Sequence, residues 1–271
     1  KGDIILDIGS NDGTTLRAYK ENEYKLIGVD PTAEKFKKFY RKDVEVIADF
    51  FPCEELNLRM KNQKAKVITS FSMFYDLENP IGFAKNIAKN LDAQGIWGFE
   101  QSYVFTMFQK SSFDTICHEH LEYYALKQIQ RICNEANLKL IDCEFNDING
   151  GSFSLTATHL SNQAVHASDA LKEALNQELK YYSNLTEIIE KFKSEVKSLP
   201  SKFETLLNKA KEENANVYCL GASTKGNVLL QYCGLDGSKI KAVGEVNPDK
   251  FGKITPGSHI NIVPEETILS D

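Results

Sequence analysis

Apolar runs alternate with segments of helical spacing through the first hundred positions of the chain. Ile4-Ile5-Leu6-Asp7-Ile8, Leu26-Ile27-Gly28-Val29, Val44-Glu45-Val46-Ile47-Ala48, Lys66-Val67-Ile68-Thr69-Ser70-Phe71 and Gly95-Ile96-Trp97-Gly98-Phe99-Glu100 read as strands. Helical spacing resumes after Gly13 and recurs over Ala33 to Arg41 and Ile81 to Leu91. Strands that alternate with helices predict a parallel, doubly wound α/β sheet. The order then changes. Ile129 to Asn137 reads as a helix, and Leu138 to Phe145 and Ser152 to His159 as two alternating strands joined through Asn149-Gly150-Gly151, an antiparallel hairpin that closes the sheet.

From Ser168 to about Asn214 the pattern is charged and helical, with a break expected at Leu199-Pro200, where proline can open a new helix. This is a helical connector whose charge run is most simply a solvated face. Beyond it come a strand over Asn216 to Leu220, the turn Gly221-Ala222-Ser223-Thr224-Lys225-Gly226-Asn227, a helix through Cys233, a strand over Lys241 to Val246, and a Gly- and Pro-rich loop over Pro248 to His259. These predict a second, smaller α/β domain. The expected division is 1–162 and 163–271.

Composition narrows the partners. With 271 residues and 42% hydrophobic content the chain can bury two cores. A net charge of -6 argues against a general nucleic-acid or membrane surface, so a small molecule is the expected partner. The six cysteines form no C-x-x-C pair, which points to neither a disulfide frame nor a zinc ribbon, and no metal is expected. No signal peptide or long apolar run is present, so the cytoplasm is the expected location. The sequence opens at Lys1, without Met, immediately ahead of its first strand; a preceding segment is therefore expected.

The first turn carries candidate chemistry. Gly9 and Gly13 remove side chains where backbone must approach a ligand, and the helix that follows offers free N–H groups and a partial positive charge. Asp7, at the strand end, is expected at the crevice edge. Asp30 closes the second strand twenty-one residues after Gly9, the spacing at which an acid grips a ribose diol. The loop lacks the full G-x-G-x-x-G of dinucleotide enzymes, and Asp12 would repel a pyrophosphate. A ligand with ribose and no phosphate fits better, which points to S-adenosylmethionine. Asn11 in the loop, Asp49 and Phe50 after the third strand and Ser72 after the fourth complete the candidate cofactor-binding set. Glycines kept for steric reasons and an ordinary strand end packed by aromatics are the competing explanations. The hairpin-closed parallel sheet is the plan of the class I, Rossmann-like methyltransferase fold.

Between the fifth strand and the hairpin, His118, Glu119, His120, Glu122, Tyr123 and Tyr124 crowd together. Histidine takes a proton at neutral pH, and a neighbouring carboxylate can orient the ring or raise its basicity. In an extended segment His118 and His120 share a face. A metal pair and a purely structural cluster are the alternatives; the spacing differs from the helical zinc pattern.

The segments Asp7 to Thr14, Phe113-Asp114-Thr115-Ile116, His118-Glu119-His120-Leu121, Tyr123-Tyr124, Asn149-Gly150-Gly151-Ser152 and Gly221 to Asn227 together resemble the sugar C-methyltransferase family. That resemblance spans nearly the whole chain. It implies an S-adenosylmethionine-dependent enzyme that methylates carbon 3 of a nucleotide-linked 4-keto-deoxysugar through an enolate. It also implies His120 as base, with His118 as the second candidate, Glu119 in proton handling and Tyr124 as an enolate donor or a packing residue. Asn149, Gly150, Ser223, Thr224, Lys225 and Asn227 are then expected on the substrate, with Lys225 facing the diphosphate. Two departures stand out. Family members usually begin with a small cysteine-zinc domain that this sequence does not contain, and some carry tyrosine where Cys117 stands. An O- or N-methyltransferase and a non-catalytic nucleotide-sugar binding protein are the competing functions.

Overall fold

The computed structural model describes residues 2–270. Two compact units are formed, one by the residues up to Thr106 with Leu121–Asn184, the other by Met107–His120 with the residues from Leu185 onward. Neither is contiguous in sequence, so neither coincides with a linear division at 162/163.

The first unit runs β1 (Ile4–Ile8), α1 (Thr14–Arg17), β2 (Lys25–Val29), α2 (Ala33–Phe36), β3 (Val44–Ile47), α3 (Glu54–Met60), β4 (Ala65–Phe71), α4 (Pro80–Asn90) and β5 (Leu91–Ser102). The chain leaves it in α5 (Val104–Lys110) and returns before α6 (Leu126–Glu135), β6 (Leu138–Asn146), β7 (Ser152–His159) and α7 (Asp169–Ser183). The seven strands lie in the order β3-β2-β1-β4-β5-β7-β6. The first five are mutually parallel, and β7 is antiparallel to both β5 and β6. The central strand of a parallel sheet is buried along its length, and all of β1 is buried, with Asp7 the one polar residue among its apolar ones. On one face of β5, Trp97 stacks on Phe99 at 3.9 Å, and Phe74 packs against both. Trp97 donates its indole N–H to Ser70 at 3.0 Å, so this aromatic layer leaves no indole proton unpaired. The strand order reverses between β1 and β4, and the crevice of an open α/β sheet lies outside the strand ends at that point.

The second unit contains α8 (Leu185–Glu212), β8 (Cys219–Leu220), α9 (Thr224–Tyr232), β9 (Val243–Glu245), β10 (Ile262–Pro264) and α10 (Glu265–Leu269). Its sheet is parallel, in the order β10-β9-β8. Leu230, Cys233, Leu235, Ile240, Val243 and Ile260 form its core, with Leu199, Phe203 and Leu207 of α8 packed on top.

Three local expectations are corrected. The helix expected over Ala33 to Arg41 stops at Phe36 and tightens into a single turn over Lys37–Phe39, because Tyr40 is extended (φ −73°, ψ 140°) and its hydroxyl reaches back to the loop after β1. The break expected at Leu199-Pro200 lies instead at Asn184, the C-cap of α7. Pro200 sits inside α8, where Leu199, Phe203 and Leu207, four residues apart, pack the helix onto one core across the missing N–H. The strand expected over Asn216 to Leu220 shortens to the two residues of β8.

Candidate active site

The loop after β1 is shaped by backbone that ordinary residues avoid. Gly9 (φ 73°) and Gly13 (φ 74°) are left-handed, as is Asn11 between them (φ 46°). Gly13 also has no room for a side chain, since a Cβ would lie 2.7 Å from the Tyr40 ring. Tyr40 donates its hydroxyl to the Asn11 carbonyl at 2.8 Å and bonds Ser10 Oγ at 2.8 Å, locking the loop from one side. Asp30 locks it from the other. Its Oδ2 accepts from the Asn11 N–H at 3.0 Å, while Oδ1 accepts from the N–H and hydroxyl of Thr32, both at 2.6 Å.

Asp12, expected to repel phosphate, is bound by Thr14 and Arg17, and these contacts, Thr14 first, hold its carboxyl below the usual range. Asp7 was expected at the crevice edge. The residue is instead 3% exposed, and its carboxylate accepts from Thr69 Oγ1 at 2.5 Å. Burial pushes its pKa up to about 6, against the lowering effect of Thr69 and Thr15. Phe50, after β3, is 73% exposed, and Asp49 beside it accepts from the Phe50 N–H at 2.7 Å. Ser72, after β4, is left-handed (φ 53°) and donates its N–H to the Glu100 carbonyl at 2.8 Å.

These residues fit S-adenosylmethionine. Asp30 Oδ2 keeps acceptor capacity beyond Asn11, as a ribose diol requires, and a large exposed aromatic ring at the strand ends offers a face for adenine.

The histidine segment differs from expectation. Cys117 to His120 is a turn, closed by the His120 N–H donating to the Cys117 carbonyl at 3.3 Å, and not an extended run. His118 and Glu119 are exposed and His120 is half-buried, so the shared-face expectation for the two histidines does not hold. All three belong to the second unit. Tyr124 belongs to the first, where its ring packs on Phe74 at 5.5 Å and its buried hydroxyl has no hydrogen-bond partner among the described residues. Burial, with Glu122 adding to it, holds that phenol well above its usual range, so it stays protonated.

Asn149 (φ 54°), Gly150 (φ 88°) and Gly151 (φ 133°) turn the hairpin at the end of β5. A Cβ on Gly151 would lie 2.0 Å from Thr106, and the Gly151 carbonyl accepts from the Tyr103 N–H at 3.1 Å.

In the second unit Ser223 is the N-cap of α9, accepting from the Gly226 N–H at 3.0 Å, so its hydroxyl holds the helix start. Thr224 and Lys225 open that helix, and Asn227 Oδ1 is buried without a partner among the described residues. Sequence reading missed Glu245. Its Oε2 accepts from the Ala222 N–H at 3.1 Å and from Lys250 at 3.0 Å, and Oε1 accepts from Val246 and Asn247. Lys250, then these N–H donors, lower its pKa to about 2. Its place at a strand end twenty-four residues after Gly221, near the twenty-one that separate Gly9 from Asp30, was the available signal. A cleft of about 840 Å³ also lies within this unit, lined by Glu204, Leu207 and Lys211 of α8 and by residues leading into β8 and β9; none of the expected site residues lines it.

No group of three His, Cys, Asp or Glu among the described residues is placed to hold a metal, and no described helix is long and apolar enough to cross a membrane.

Residues 1–142 match the family model of a methyltransferase domain, and residues 147–271 match that of a C-methyltransferase C-terminal domain. The C-methyltransferase NovU of Streptomyces niveus is 26% identical over 263 residues, covering 96% of this chain. The chain spans 62% of the length of that curated relative. Among solved structures, a putative methyltransferase from Bacillus halodurans is 12% identical with a TM-score of 0.45, covering 58% of this chain and 93% of that one. An S-adenosylmethionine-dependent methyltransferase from Clostridium acetobutylicum is 11% identical with a TM-score of 0.46, covering 58% of this chain and 84% of that one.

Proposed function

Since this chain belongs to the S-adenosylmethionine-dependent C-methyltransferases, we propose that it methylates carbon 3 of a nucleotide-linked 4-ketosugar through an enolate. The observation that carries this reading is the turn that holds His120 half-buried beside Glu119 in a segment resembling that of sugar C-methyltransferases. S-adenosylmethionine, when bound, supplies a methyl group on a positively charged sulfur to the carbon nucleophile. Asp30 holds its ribose, Phe50 meets its adenine, and the Gly9–Gly13 loop lies against it.

The protein's own chemistry is proton handling. The 4-keto group acidifies the hydrogen on carbon 3, an imidazole nitrogen of His120 takes that proton, and the electron pair moves into the enolate. Glu119 assists by stabilising the imidazolium that forms. The protonated Tyr124 hydroxyl is the candidate donor to the enolate oxygen. Asn149 and Gly150 are assigned to the sugar, and Thr224, Lys225 and Asn227 to its nucleotide. Cytoplasmic location is part of this reading, supported by six free cysteines.

His120→Asn tests the base. It is expected to lower turnover by about 10² to 10⁴-fold with cofactor affinity intact, and to slow deuterium wash-in at carbon 3 of the ketosugar without added cofactor. Survival of exchange and methylation in this variant, with their loss in His118→Asn, would move the base to His118.

A further inference from the structure

Glu178, on α7, is 2% exposed and has no role in the chemistry assigned above. Its carboxylate accepts three hydrogen bonds. Oε2 accepts from the Tyr103 hydroxyl at 2.9 Å and from the Leu126 N–H at 2.6 Å, and Oε1 accepts from the Lys127 N–H at 2.8 Å. Leu126 and Lys127 are the first residues of α6, whose leading N–H groups have no partner within the helix and whose dipole favours a negative charge.

The placement of these bonds along the chain is what gives them meaning. The chain passes between the two units three times, at Thr106/Met107, His120/Leu121 and Asn184/Leu185. Tyr103 lies just before the first passage, Leu126 and Lys127 just after the second, and Glu178 just before the third. Other contacts tie the same three stretches together on the first-unit side. Phe105 stacks on Tyr181 at 4.9 Å, Gln128 Nε2 donates to the Tyr182 hydroxyl at 3.0 Å, and the Val104 N–H donates to the Tyr124 carbonyl at 3.0 Å. Within this cluster Glu178 bonds a side chain before the first passage and two backbone N–H groups after the second, and its loss would leave two buried donors and one part-buried donor without their acceptor.

We propose that Glu178 is a positioning residue for methyl transfer, holding in register both ends of the segment that carries His118, Glu119, His120 and Tyr124. The proposal rests on the reading that this segment carries the chemistry. Glu178 touches no reacting atom. It acts through Tyr103 and the start of α6, which fix where the segment leaves the first unit and where it rejoins, and misplacement of a reacting group by about 1 Å costs on the order of 10²-fold in rate.

The test compares Glu178→Leu, Glu178→Gln and His120→Asn in the full chain, at a temperature where circular dichroism shows each fully folded. Glu178→Leu is expected to lower kcat by roughly 10²-fold while the calorimetric Kd for S-adenosylmethionine changes by less than about twofold. Glu178→Gln should recover part of that loss, because an amide oxygen in the place of Oε2 still accepts from the Tyr103 hydroxyl and the Leu126 N–H and only the Lys127 N–H loses its acceptor. Where Glu178→Leu does not fold, Tyr103→Phe carries the test, with a smaller loss of kcat and the same unchanged Kd. Full kcat in folded Glu178→Leu or, where that fails to fold, in Tyr103→Phe overturns the proposal, as does a kcat loss matched by an equal loss of cofactor binding. Full turnover in His120→Asn fails the underlying reading instead, a result separable from either outcome at Glu178.

Discussion

The two units repeat one local device with opposite outcomes. In each, a parallel strand ends in a left-handed glycine, Gly9 after β1 and Gly221 after β8, a polar turn opens a helix, and the next strand ends in an acid that reaches back to an N–H of the turn. Asp30 does so with no cation in ion-pair range among the described residues, and Glu245 does so with Lys250 at 3.0 Å. Asp30 therefore keeps acceptor capacity for a ligand, whereas Glu245 has both oxygens filled by Lys250 and three N–H groups. A strand-end acid near this spacing thus marks a geometry, and its other partners decide how much acceptor capacity it keeps.

The strands differ too. Two residues before the glycine, β1 carries buried Asp7 and β8 carries Cys219. With Asp7 raised from 3.8 to about 6, the folded state binds the proton more tightly than the unfolded state. Stability therefore falls as pH rises from about 3.8 through about 6, by about 3 kcal/mol in all. Asp7→Asn should lose this dependence, so its stability relative to the parent should rise by that amount across the window. Parallel urea-melt curves for the two proteins over that range would show that the buried acid is not what distinguishes the first strand.

The second prediction sharpens the contrast at the acids. Asp30→Ala should weaken S-adenosylmethionine by about 1.5 to 3 kcal/mol, the worth of hydrogen bonds to a charged group, with little effect on sugar binding. Unchanged affinity by calorimetry would remove Asp30 from the cofactor site.

The smallest effect is expected at Glu245→Gln, which should leave cofactor affinity untouched and cost roughly 1 kcal/mol of stability. Its pKa is depressed from 4.5 to about 2, so its contribution is present above about pH 4.5 and is lost as pH falls toward 2. The parent should therefore destabilise more steeply than the variant in that acidic window. A variant that weakens cofactor binding would erase the distinction drawn between the loops.

Much of the first unit could be read directly. Leu26 to Val29 and Val67-Ile68 form the continuous apolar runs expected of strands in a parallel sheet, and the switch from continuous to alternating runs marked the hairpin. The Gly9-to-Asp30 spacing found the acid that the fold joins to the Asn11 N–H of the glycine loop at 3.0 Å. Tyr40 escaped notice because an aromatic in a charged helical pattern carries no sign that it will turn back onto a loop twenty-nine positions earlier. The histidine turn escaped because crowded polar residues have no periodicity, so neither an extended nor a turned backbone is favoured by pattern alone.

By itself, then, the sequence determined the strands, the two glycine turns, the acid spacing and the chemistry-bearing residue types, because each follows from local sterics or from burial periodicity. Tertiary structure decided the rest. Only packing could assign 107–120 to the second unit, carry α8 through Pro200, bury Asp7 against Thr69, fill Glu245 with Lys250 and set Glu178 beneath α6. Each of these depends on which distant donor or apolar face meets a side chain, and the free energy of a buried charge or a covered helix face is set by that partner and not by its neighbours in sequence.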